Sequence, residues 1–255
     1  MKEISMNKIA LSIDTDFFFR ELPIWDFSHN EENILLMNNV IWNIRYGGID
    51  FLTESSLDYA DCHPNKLFNK LFNKGFNFNL SSVGSGWSHS GAYSFFKSFE
   101  FNTLINIDAH HDCFSGKELH CGNWVLKLLE EKSDIKYHWV YPKFLKNTFG
   151  ISAPKSVHKV SFSKIDKLAG EVVAIYIAQS PAWIPPHFDK YFLNMVRSIK
   201  LFTDYNKTID DKYIKRKIFS SKQIKKVYAQ YQSEFNRLKE IYQKKTIKEK
   251  KSWEA

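Results

Sequence analysis

The sequence FNTLINIDAHHD, residues 101–112, joins a predicted β-strand to a cluster of metal-binding residue types. Its apolar part, Phe101–Ile107, is typical of a buried strand, and the polar residues follow where that strand ends. Asp108, His110 and Asp112 alternate along the chain, which places their side chains on one side of an extended backbone. Carboxylates mixed with imidazole, without a thiolate, favour manganese or another borderline divalent ion over a structural zinc.

A second cluster of the same form lies near the start of the chain. The segment LSIDTD ends a predicted strand over Lys8–Ile13 and carries Asp14 and Asp16. His89 adds an imidazole in a glycine-rich loop, GSGWSHSG, residues 84–91, whose glycines allow tight turns. One Asp-x-Asp pair is common by chance, but two strand-terminal clusters in one chain are much harder to dismiss. Because open α/β sheets place their sites at the carboxyl ends of strands, the sequence predicts one metal site there.

Further strands alternate with helices along the rest of the chain. Spacing and composition predict helices over Ile34–Arg45, Asn123–Lys132 and Ser221–Lys245, the last an amphipathic C-terminal helix (221–245) packed on the body. Short β-type runs predict three more strands, Tyr137–Tyr141, Val157–Phe162 and Val172–Ile177. Strands that alternate with helices indicate an α/β fold with a mainly parallel sheet covered on both faces.

Length and composition favour one globular domain over residues 1–255. The chain is 44% hydrophobic and 25% charged, which is ordinary for a globular protein. Its apolar runs are far shorter than the roughly 20 residues that cross a bilayer, and its start lacks the apolar stretch of a signal peptide. We therefore expect a cytoplasmic protein without a membrane partner. Cys62, Cys113 and Cys121 lack CxxC spacing, so reduced thiols are expected.

The net charge of +8 does not by itself predict a nucleic-acid partner. Much of the excess lies between Lys212 and Lys251, which favours the solvated face of a helix. The second interpretation of this charge is that it binds an acidic peptide. No nucleic-acid partner is expected, because no nucleic-acid-binding motif accompanies the charge.

The clusters together resemble a known family. Asp-Ala-His-x-Asp at 108–112, the strand-terminal Asp-x-Asp at 14–16 and the Gly-x-x-His-Ser loop at 86–90 are similar to motifs of the ureohydrolases, the arginase and agmatinase group. The resemblance implies a three-layer α/β/α fold of the arginase and deacetylase type, and a hydrolase that binds two Mn²⁺ ions. It also implies the ligands of each ion: His89, Asp108, Asp112 and Asp14 for one, and Asp108, His110, Asp14 and Asp16 for the other, with Asp108 and Asp14 bridging.

The order of the motifs differs from that of arginases. In arginases the Asp-x-Asp strand follows the Asp-Ala-His-x-Asp strand, whereas here Asp14 and Asp16 come first, so a rearranged strand order is expected. This arrangement is similar to an arginase-like family, some of whose members are peptide arginases in the maturation of ribosomally made peptides. The resemblance therefore implies an arginine-containing precursor peptide as substrate, with an ornithine side chain and urea as products.

Two residues are assigned catalytic roles by this resemblance. Asp112 would accept a hydrogen bond from the attacking hydroxide in addition to binding metal. His120, in the segment LHCGN, resembles the proton-shuttling histidine of the family, and a structural loop histidine is the alternative interpretation. His111 and the cysteines at 113 and 121 are interpreted as packed residues without a role in the reaction.

Two features of arginases that act on the free amino acid are absent from the sequence. The interval between the metal motif and His120, CFSGKEL at 113–119, is short and contains no Asn to bind the α-carboxylate of free arginine. The late Glu that pairs with the guanidinium is not evident, because the strand Val173–Ala178 runs into Gln179. Either another acid binds the guanidinium, with Asp26, Glu54, Asp58 and Asp61 as possible replacements, or the pocket differs.

Three rival functions stay open from the sequence. The first is a hydrolase of a free guanidino compound. The second is a deacetylase-like amide hydrolase with one zinc, which would need an Asp-x-His and one further Asp but not six ligands. The third is a non-catalytic peptide-binding module whose carboxylates hold a structural cation. The oligomeric state is not predicted.

Overall fold

The computed structural model describes residues 7–19, 42, 62–143, 153–203 and 208–216, and part of 220–240. The chain divides into two compact units. The first, Met1–Leu35 with Leu57–Arg216, contains the sheet and every predicted ligand. The second is Leu36–Ser56 with Lys217–Ala255. The expectation of a single domain over 1–255 stays a prediction.

The described residues of the first unit form a seven-stranded sheet in which every pair of neighbouring strands is parallel. In spatial order the strands are β5, β4, β3, β1, β6, β2 and β7. Their bounds are β1 Lys8–Asp14, β2 Ser82–Gly86, β3 Thr103–Ile107, β4 Lys136–Tyr141, β5 His158–Ser161, β6 Glu171–Ala178 and β7 Thr208–Lys212. The five predicted strands are all present, and β2 and β7 are additional.

Helices cover both faces of this sheet. Helix α1 (Leu67–Asn73) and helix α4 (Asp189–Ile199) contribute to the core on one face, and helix α2 (Gly91–Lys97) and helix α3 (Trp124–Glu131) to the core on the other. Short 3-10 helices add to the connections, at Thr15–Phe18, Pro64–Lys66, Phe162–Leu168 and Pro186–Phe188. The predicted α/β fold with three layers and a rearranged strand order is therefore confirmed.

Alternation along the strands separates the two cores. In β1, Ile9, Leu11 and Ile13 pack into the core with α1 and α4, while Ala10 packs into the core with α2 and α3. Ser12 and Asp14 have the parity of Ala10, so the polar residues of β1 lie on the α2/α3 face. Because both faces of the sheet are buried, the sequences of most strands are nearly continuous apolar runs.

The first part of the predicted glycine-rich loop is strand β2 in the structure. Its residues are small because neighbouring side chains leave no room for larger ones. A Cβ atom at Gly84 would lie 2.8 Å from the ring of Phe95. A Cβ atom at Gly86 would collide with the hydroxyl of Tyr176. Such a strand has few branched or aromatic residues, so the usual β-strand pattern does not mark it.

The predicted helices have different outcomes. The helix at Asn123–Lys132 is observed as α3. The helix at Ile34–Arg45 lies outside the described residues apart from Trp42, which is helical. Of the helix at 221–245, the described positions from 222 to 240 are helical, and the remaining positions, which include most of its apolar residues, lie outside the described residues. No helix among the described residues is long and apolar enough to span a membrane.

Candidate metal centre

The two Asp-containing segments meet because their strands are neighbours. Ile13 of β1 is in register with Ile107 of β3, so Asp14 and Asp108 leave the sheet side by side at its carboxyl edge. On the other side of β1, Asp14 is in register with Ala178 of β6. His89 follows the end of β2, which pairs with β6. Strand pairing thus brings distant parts of the sequence to one point, as expected for open α/β sheets.

His89 forms the centre of the first group of ligands. Its Nδ1 atom lies 3.0 Å from Asp14 Oδ2, 3.1 Å from Asp108 Oδ2 and 3.0 Å from Asp112 Oδ2. Its Nε2 atom lies 2.6 Å from the hydroxyl of Ser12, which fixes the ring so that Nδ1 faces the carboxylates. All of these side chains are buried.

His110 forms a second group beside the first. Its Nδ1 atom lies 3.0 Å from Asp16 Oδ2 and 3.7 Å from Asp108 Oδ1. Asp108 therefore presents one oxygen to His89 and the other to His110. The structure brings together all six predicted metal ligands: Asp14, Asp16, His89, Asp108, His110 and Asp112.

The donor set fits a divalent cation. Two overlapping groups have ligand atoms within 4.8 Å of one another: Asp14, His89 and Asp108, and Asp16, Asp108 and His110. Four buried carboxylates face two imidazoles, so with every carboxylate ionised and both imidazoles protonated the cluster carries a formal charge of −2. Because buried charge is costly unless it is compensated, such a cluster is suited to bind metal. Carboxylate and imidazole ligands are compatible with manganese, zinc or iron.

The pKa values of the two histidines reflect the surrounding carboxylates. Burial alone lowers the pKa of His89, but the charge of Asp14 and hydrogen bonds with the carboxylates of Asp108 and Asp112 raise it well above its usual value. The pKa of His110 is raised in the same way, against the effect of burial, by Asp16 and Asp108. Without a cation, both imidazoles therefore retain a proton that neutralises part of the cluster.

Asp108 has a lowered pKa, whereas Asp112 and Asp16 have raised pKa values. Burial raises the pKa of Asp108, but hydrogen bonds from His110 and His89 outweigh this effect and hold the pKa well below its usual value. Burial and the charge of Asp108 raise the pKa of Asp112 to about 7. Burial and then the charges of Asp14 and Asp108 raise the pKa of Asp16 well above its usual value. A bound cation would replace the protons that these groups retain.

Backbone turns, rather than an extended backbone, bring Asp108, His110 and Asp112 together. Strand β3 ends at Ile107, and the backbone N–H of His110 donates to Asp108 Oδ1 at 2.7 Å. Asp112 has a φ of 49°, in the left-handed region that few residues other than glycine adopt. The prediction that the three ligands alternate along an extended segment is therefore wrong in its geometry, although the side chains do converge.

Several polar residues that the sequence interpretation missed hold the ligands in place. Asn106 donates to Asp108 Oδ2 at 2.9 Å, and the indole N–H of Trp124 donates to Asp112 Oδ2 at 2.5 Å. Ser180 donates to Asp14 Oδ2 at 2.6 Å from a backbone with a φ of 50°. Ser12 and Asn106 could have been found, because each lies two residues before a ligand on the same face of its strand.

His120 lies in the loop before α3 and is partly buried. Its described hydrogen bonds are made within that loop: its Nδ1 accepts from the backbone N–H of Gly122 at 3.1 Å, and its own N–H donates to Asn123 Oδ1 at 2.9 Å. Because Nδ1 is an acceptor, the neutral ring carries its proton on Nε2. The shuttle role of His120 stays a prediction.

Other residues near the cluster have packing roles. The Nδ1 atom of His111 accepts from the backbone N–H of Cys113, and its ring packs at a tilt against Phe114 with centroids 4.5 Å apart. Burial and the charge of Asp112 raise the pKa of the Cys113 thiol to about 12, so it is not activated. The ring of Trp183 lies 4.7 Å from that of His110 and walls the second group. The replacement acids at positions 26, 54, 58 and 61 lie outside the described residues.

Comparison with known proteins does not extend this description. No protein-family model, curated protein or solved structure matches the chain. The resemblance to ureohydrolases therefore depends on the motifs alone. What the fold and geometry define is an α/β protein with a buried Asp/His cluster that could bind metal.

Proposed function

We propose that this protein is a dinuclear manganese hydrolase that converts arginine side chains within a peptide to ornithine, with release of urea. The observation that carries the proposal is the position of Asp108 between two imidazoles. Its Oδ2 lies 3.1 Å from His89 Nδ1, and its Oδ1 lies 3.7 Å from His110 Nδ1. A carboxylate with one oxygen on each of two ligand groups is suited to bridge two cations.

The six ligands divide between the two proposed ions. His89, Asp14, Asp108 and Asp112 would hold one, and Asp16, His110, Asp108 and Asp14 the other. When bound, a pair of divalent ions lowers the pKa of water towards neutrality and stabilises the negative charge that develops in hydrolysis. Asp112 lies at the edge of the first group, where its Oδ2 also accepts from Trp124. This hydrogen bond orients Asp112 to accept a further one from the attacking oxygen.

The reaction adds water across one C–N bond of the arginine side chain. The water oxygen bonds to the guanidinium carbon, the bond from that carbon to the side-chain nitrogen breaks, and the nitrogen accepts a proton as the ornithine amine forms. In our proposal His120 supplies this proton as an imidazolium and returns to the neutral ring. The exposed loop before His120 would allow the ring to exchange protons with solvent.

A peptide substrate is supported by the short segment that precedes His120. All six residues from Phe114 to Leu119 are exposed, with Phe114 49% and Leu119 38% exposed. The segment contains no Asn whose amide could bind the α-carboxylate of free arginine. Apolar side chains at the rim of a site are suited to contact a polypeptide instead.

The proposal is tested with the full chain loaded with Mn²⁺ and offered free arginine, agmatine and a peptide that contains arginine. We expect urea to be released from the peptide alone, with a mass loss of ~42 Da per modified arginine. Asp14→Ala and Asp112→Ala should abolish urea release and lower the bound metal. Asp134→Ala, at an exposed carboxylate in the turn before β4, is the matched control and should behave like the parent.

Each contrary result has a distinct meaning. Urea from free arginine or agmatine with none from the peptide would contradict the peptide substrate and retain the ureohydrolase. One equivalent of zinc with release of acetate from an acetyl-lysine peptide would favour the deacetylase-like alternative. Unchanged metal content in both Asp→Ala variants would refute the metal centre itself.

A further inference from the structure

A buried arginine is bonded to the turn at residues 180–184, which follows β6. The side chain of Arg216 is 0% exposed. Its Nη1 donates to the backbone oxygens of Pro181 at 2.5 Å and Ile184 at 2.8 Å. Its Nε donates to Asp189 Oδ2 at 3.0 Å, and its Nη2 donates to the other oxygen of that carboxylate. Because Asp189 is the first residue of α4, one guanidinium joins the turn to the start of this helix.

The same turn contacts the candidate metal centre at two points. Ser180, at its start, donates to Asp14 Oδ2 at 2.6 Å. The ring of Trp183, within it, lies 4.7 Å from the ring of His110. Asp14 belongs to the ligand group around His89, and His110 forms the other group. The turn therefore reaches both ligand groups, although none of its residues is a proposed ligand.

The backbone of this turn needs support from outside it. Ser180 has a φ of 50°, a conformation that persists only where the surrounding structure holds it. Inside the turn, the backbone oxygen of Ser180 accepts from the N–H groups of Trp183 at 3.0 Å and Ile184 at 3.1 Å. The two carbonyl groups that Arg216 bonds, those of Pro181 and Ile184, lie on either side of Trp183. Arg216 thus fixes the part of the turn that presents this ring.

A second side chain fixes the segment that carries Arg216. The amide of Gln179 donates to the backbone oxygen of Ile214 at 2.8 Å and accepts from the Ile214 N–H at 2.8 Å. Gln179 is buried and directly precedes Ser180. The segment at residues 214–216 is therefore bonded to the chain on both sides of Ser180, by Gln179 before it and by Arg216 after it.

The chemistry of arginine suits this position better than that of any other side chain. Its planar guanidinium can pair with both oxygens of a carboxylate and still donate to backbone carbonyls, which an ammonium group cannot do in a fixed geometry. A buried ion pair adds little stability over apolar side chains of similar volume. Four directed hydrogen bonds, in contrast, fix the groups that they join.

We propose that Arg216 is a positioning residue of the candidate metal centre, which holds the turn so that Ser180 orients Asp14 and Trp183 packs on His110. The inference requires that the cluster binds a cation, but it does not depend on the reaction proposed above. Residues that orient metal ligands typically change metal affinity by about 10-fold to 100-fold. Because Arg216 acts through Ser180, we expect the lower end of this range.

The test measures Mn²⁺ affinity by calorimetric titration of the full chain, at a temperature where the metal-free variants are folded. Arg216→Met should weaken the tighter Mn²⁺ binding by about tenfold, as should Ser180→Ala. The double variant should also lose about tenfold, and not the roughly 100-fold expected of independent effects. Arg216→Lys keeps a charge beside Asp189 but cannot make all four hydrogen bonds. It should weaken Mn²⁺ binding as Arg216→Met does and unfold at a higher temperature than that variant.

Co²⁺ in place of Mn²⁺ gives a second measurement, because its visible absorption depends on the geometry of its ligands. Arg216→Met and Ser180→Ala should change this absorption in the same way. Ile199→Ala is the matched control, since it removes a buried side chain at the other end of α4, about 15 Å along the helix from Asp189. It should lower the melting temperature and leave both the Mn²⁺ affinity and the Co²⁺ absorption unchanged.

Metal binding like that of the parent in both Arg216 variants, with only a lower melting temperature, would overturn the inference and leave Arg216 with a structural role. Additive losses in the double variant would also contradict it, since Arg216 would then not act through Ser180. Absence of Mn²⁺ binding in the parent would refute the metal centre and this inference together. If the parent binds Mn²⁺ but releases no urea, the proposed function fails, and the affinities alone decide the role of Arg216.

Discussion

The two halves of the candidate metal centre differ in how completely the protein encloses them. In the first half, His89 is 1% exposed and its Nδ1 faces three carboxylates at 3.0 to 3.1 Å. In the second half, the His110 side chain is 21% exposed and faces Asp16 at 3.0 Å. The enclosed half could thus retain a cation, and the open half is the side that solvent can reach.

The difference follows from the residues that surround each histidine ring. The ring of His89 is fixed by Ser12 on its far nitrogen and lies 4.9 Å from the ring of Trp124. The ring of His110 packs against Trp183, which is itself partly exposed. Ligands that are oriented by neighbouring hydrogen bonds generally bind metal more tightly. We therefore expect the enclosed half to bind its ion more tightly and to exchange it more slowly.

Substitution of Asp108 removes the residue that the two halves share and has the largest expected effect. Asp108→Asn keeps the size of the side chain but replaces one carboxylate oxygen by an amide nitrogen. The nitrogen does not bind a cation, so the side chain cannot bridge two of them. Loss of a residue that only orients a ligand lowers metal affinity by up to about 100-fold. Because Asp108 is itself a proposed ligand of both ions, we expect the Mn²⁺ affinity of both halves to fall by more than that. Calorimetric titration of the metal-free protein measures this loss.

The control for this substitution is Asp134→Asn, at an exposed position outside the cluster. It should bind metal as the parent does. Retention of one tightly bound ion in Asp108→Asn would show that the enclosed half does not depend on the shared carboxylate.

Separate substitution of the two histidines should show which half of the cluster binds its ion more tightly. His110→Ala is expected to retain one Mn²⁺ per chain, in the enclosed half, and to lose the other. His89→Ala should lose the tightly bound ion and, without metal, be less stable than His110→Ala, because three buried carboxylates then lose their partner. Metal content after gel filtration and thermal unfolding of the metal-free proteins measure both effects. Equal metal loss in the two variants would contradict the asymmetry.

The sequence could predict this candidate centre because two of its ligands lie at the ends of neighbouring strands. Regular alternation placed Asp14 at the end of β1 and Asp108 directly after β3, and parallel pairing of these strands then joined them. The same regularity could have identified Ser12 and Asn106. It could not identify Ser180, whose contact with Asp14 spans 166 positions and depends on the turn after β6.

Parts of the fold escaped prediction where packing, rather than propensity, sets the sequence. Strand β2 consists of small residues because Phe95 and Tyr176 occupy the space above its glycines. Helices α2 and α4 were not predicted either, and neither begins with a side-chain hydrogen bond to its first turn. The left-handed backbone of Asp112 likewise depends on the tertiary structure, because aspartate adopts this conformation more readily than most residues but only in particular surroundings.

The raised pKa of Asp112 gives metal binding in the enclosed half a dependence on pH. Its folded pKa of about 7 is above the ordinary 3.8, so the metal-free fold binds a proton that a cation must displace. We expect Mn²⁺ affinity to rise by about tenfold per pH unit for this proton as pH approaches 7. Asp112→Asn, which has no such proton, should show a shallower rise in calorimetric titrations from pH 5.5 to pH 7.

The same shift fixes the sign of the stability change in the metal-free protein. A raised pKa means that the folded state binds more protons than the unfolded state between about pH 4 and pH 7. The free energy of unfolding should therefore fall as pH rises through that window, and less so in Asp112→Asn. A slope that is identical in the parent and the variant would show that Asp112 is not the group responsible.

The smallest expected effect belongs to Ser180, which supports a single ligand of the enclosed half. Its hydroxyl donates to Asp14 Oδ2 at 2.6 Å, whereas its backbone N–H donates to Trp87 at 3.0 Å in any variant. Ser180→Ala and Ser180→Gly both remove the hydroxyl, so both should weaken the tighter Mn²⁺ site by about tenfold. They should differ in stability, because at a φ of 50° glycine relieves strain that alanine retains, by about 1 kcal/mol. Equal loss of affinity with unequal stability would separate the hydrogen bond to Asp14 from the turn that presents it. Unchanged affinity in both variants would mean that enclosure, and not this hydrogen bond, retains the ion.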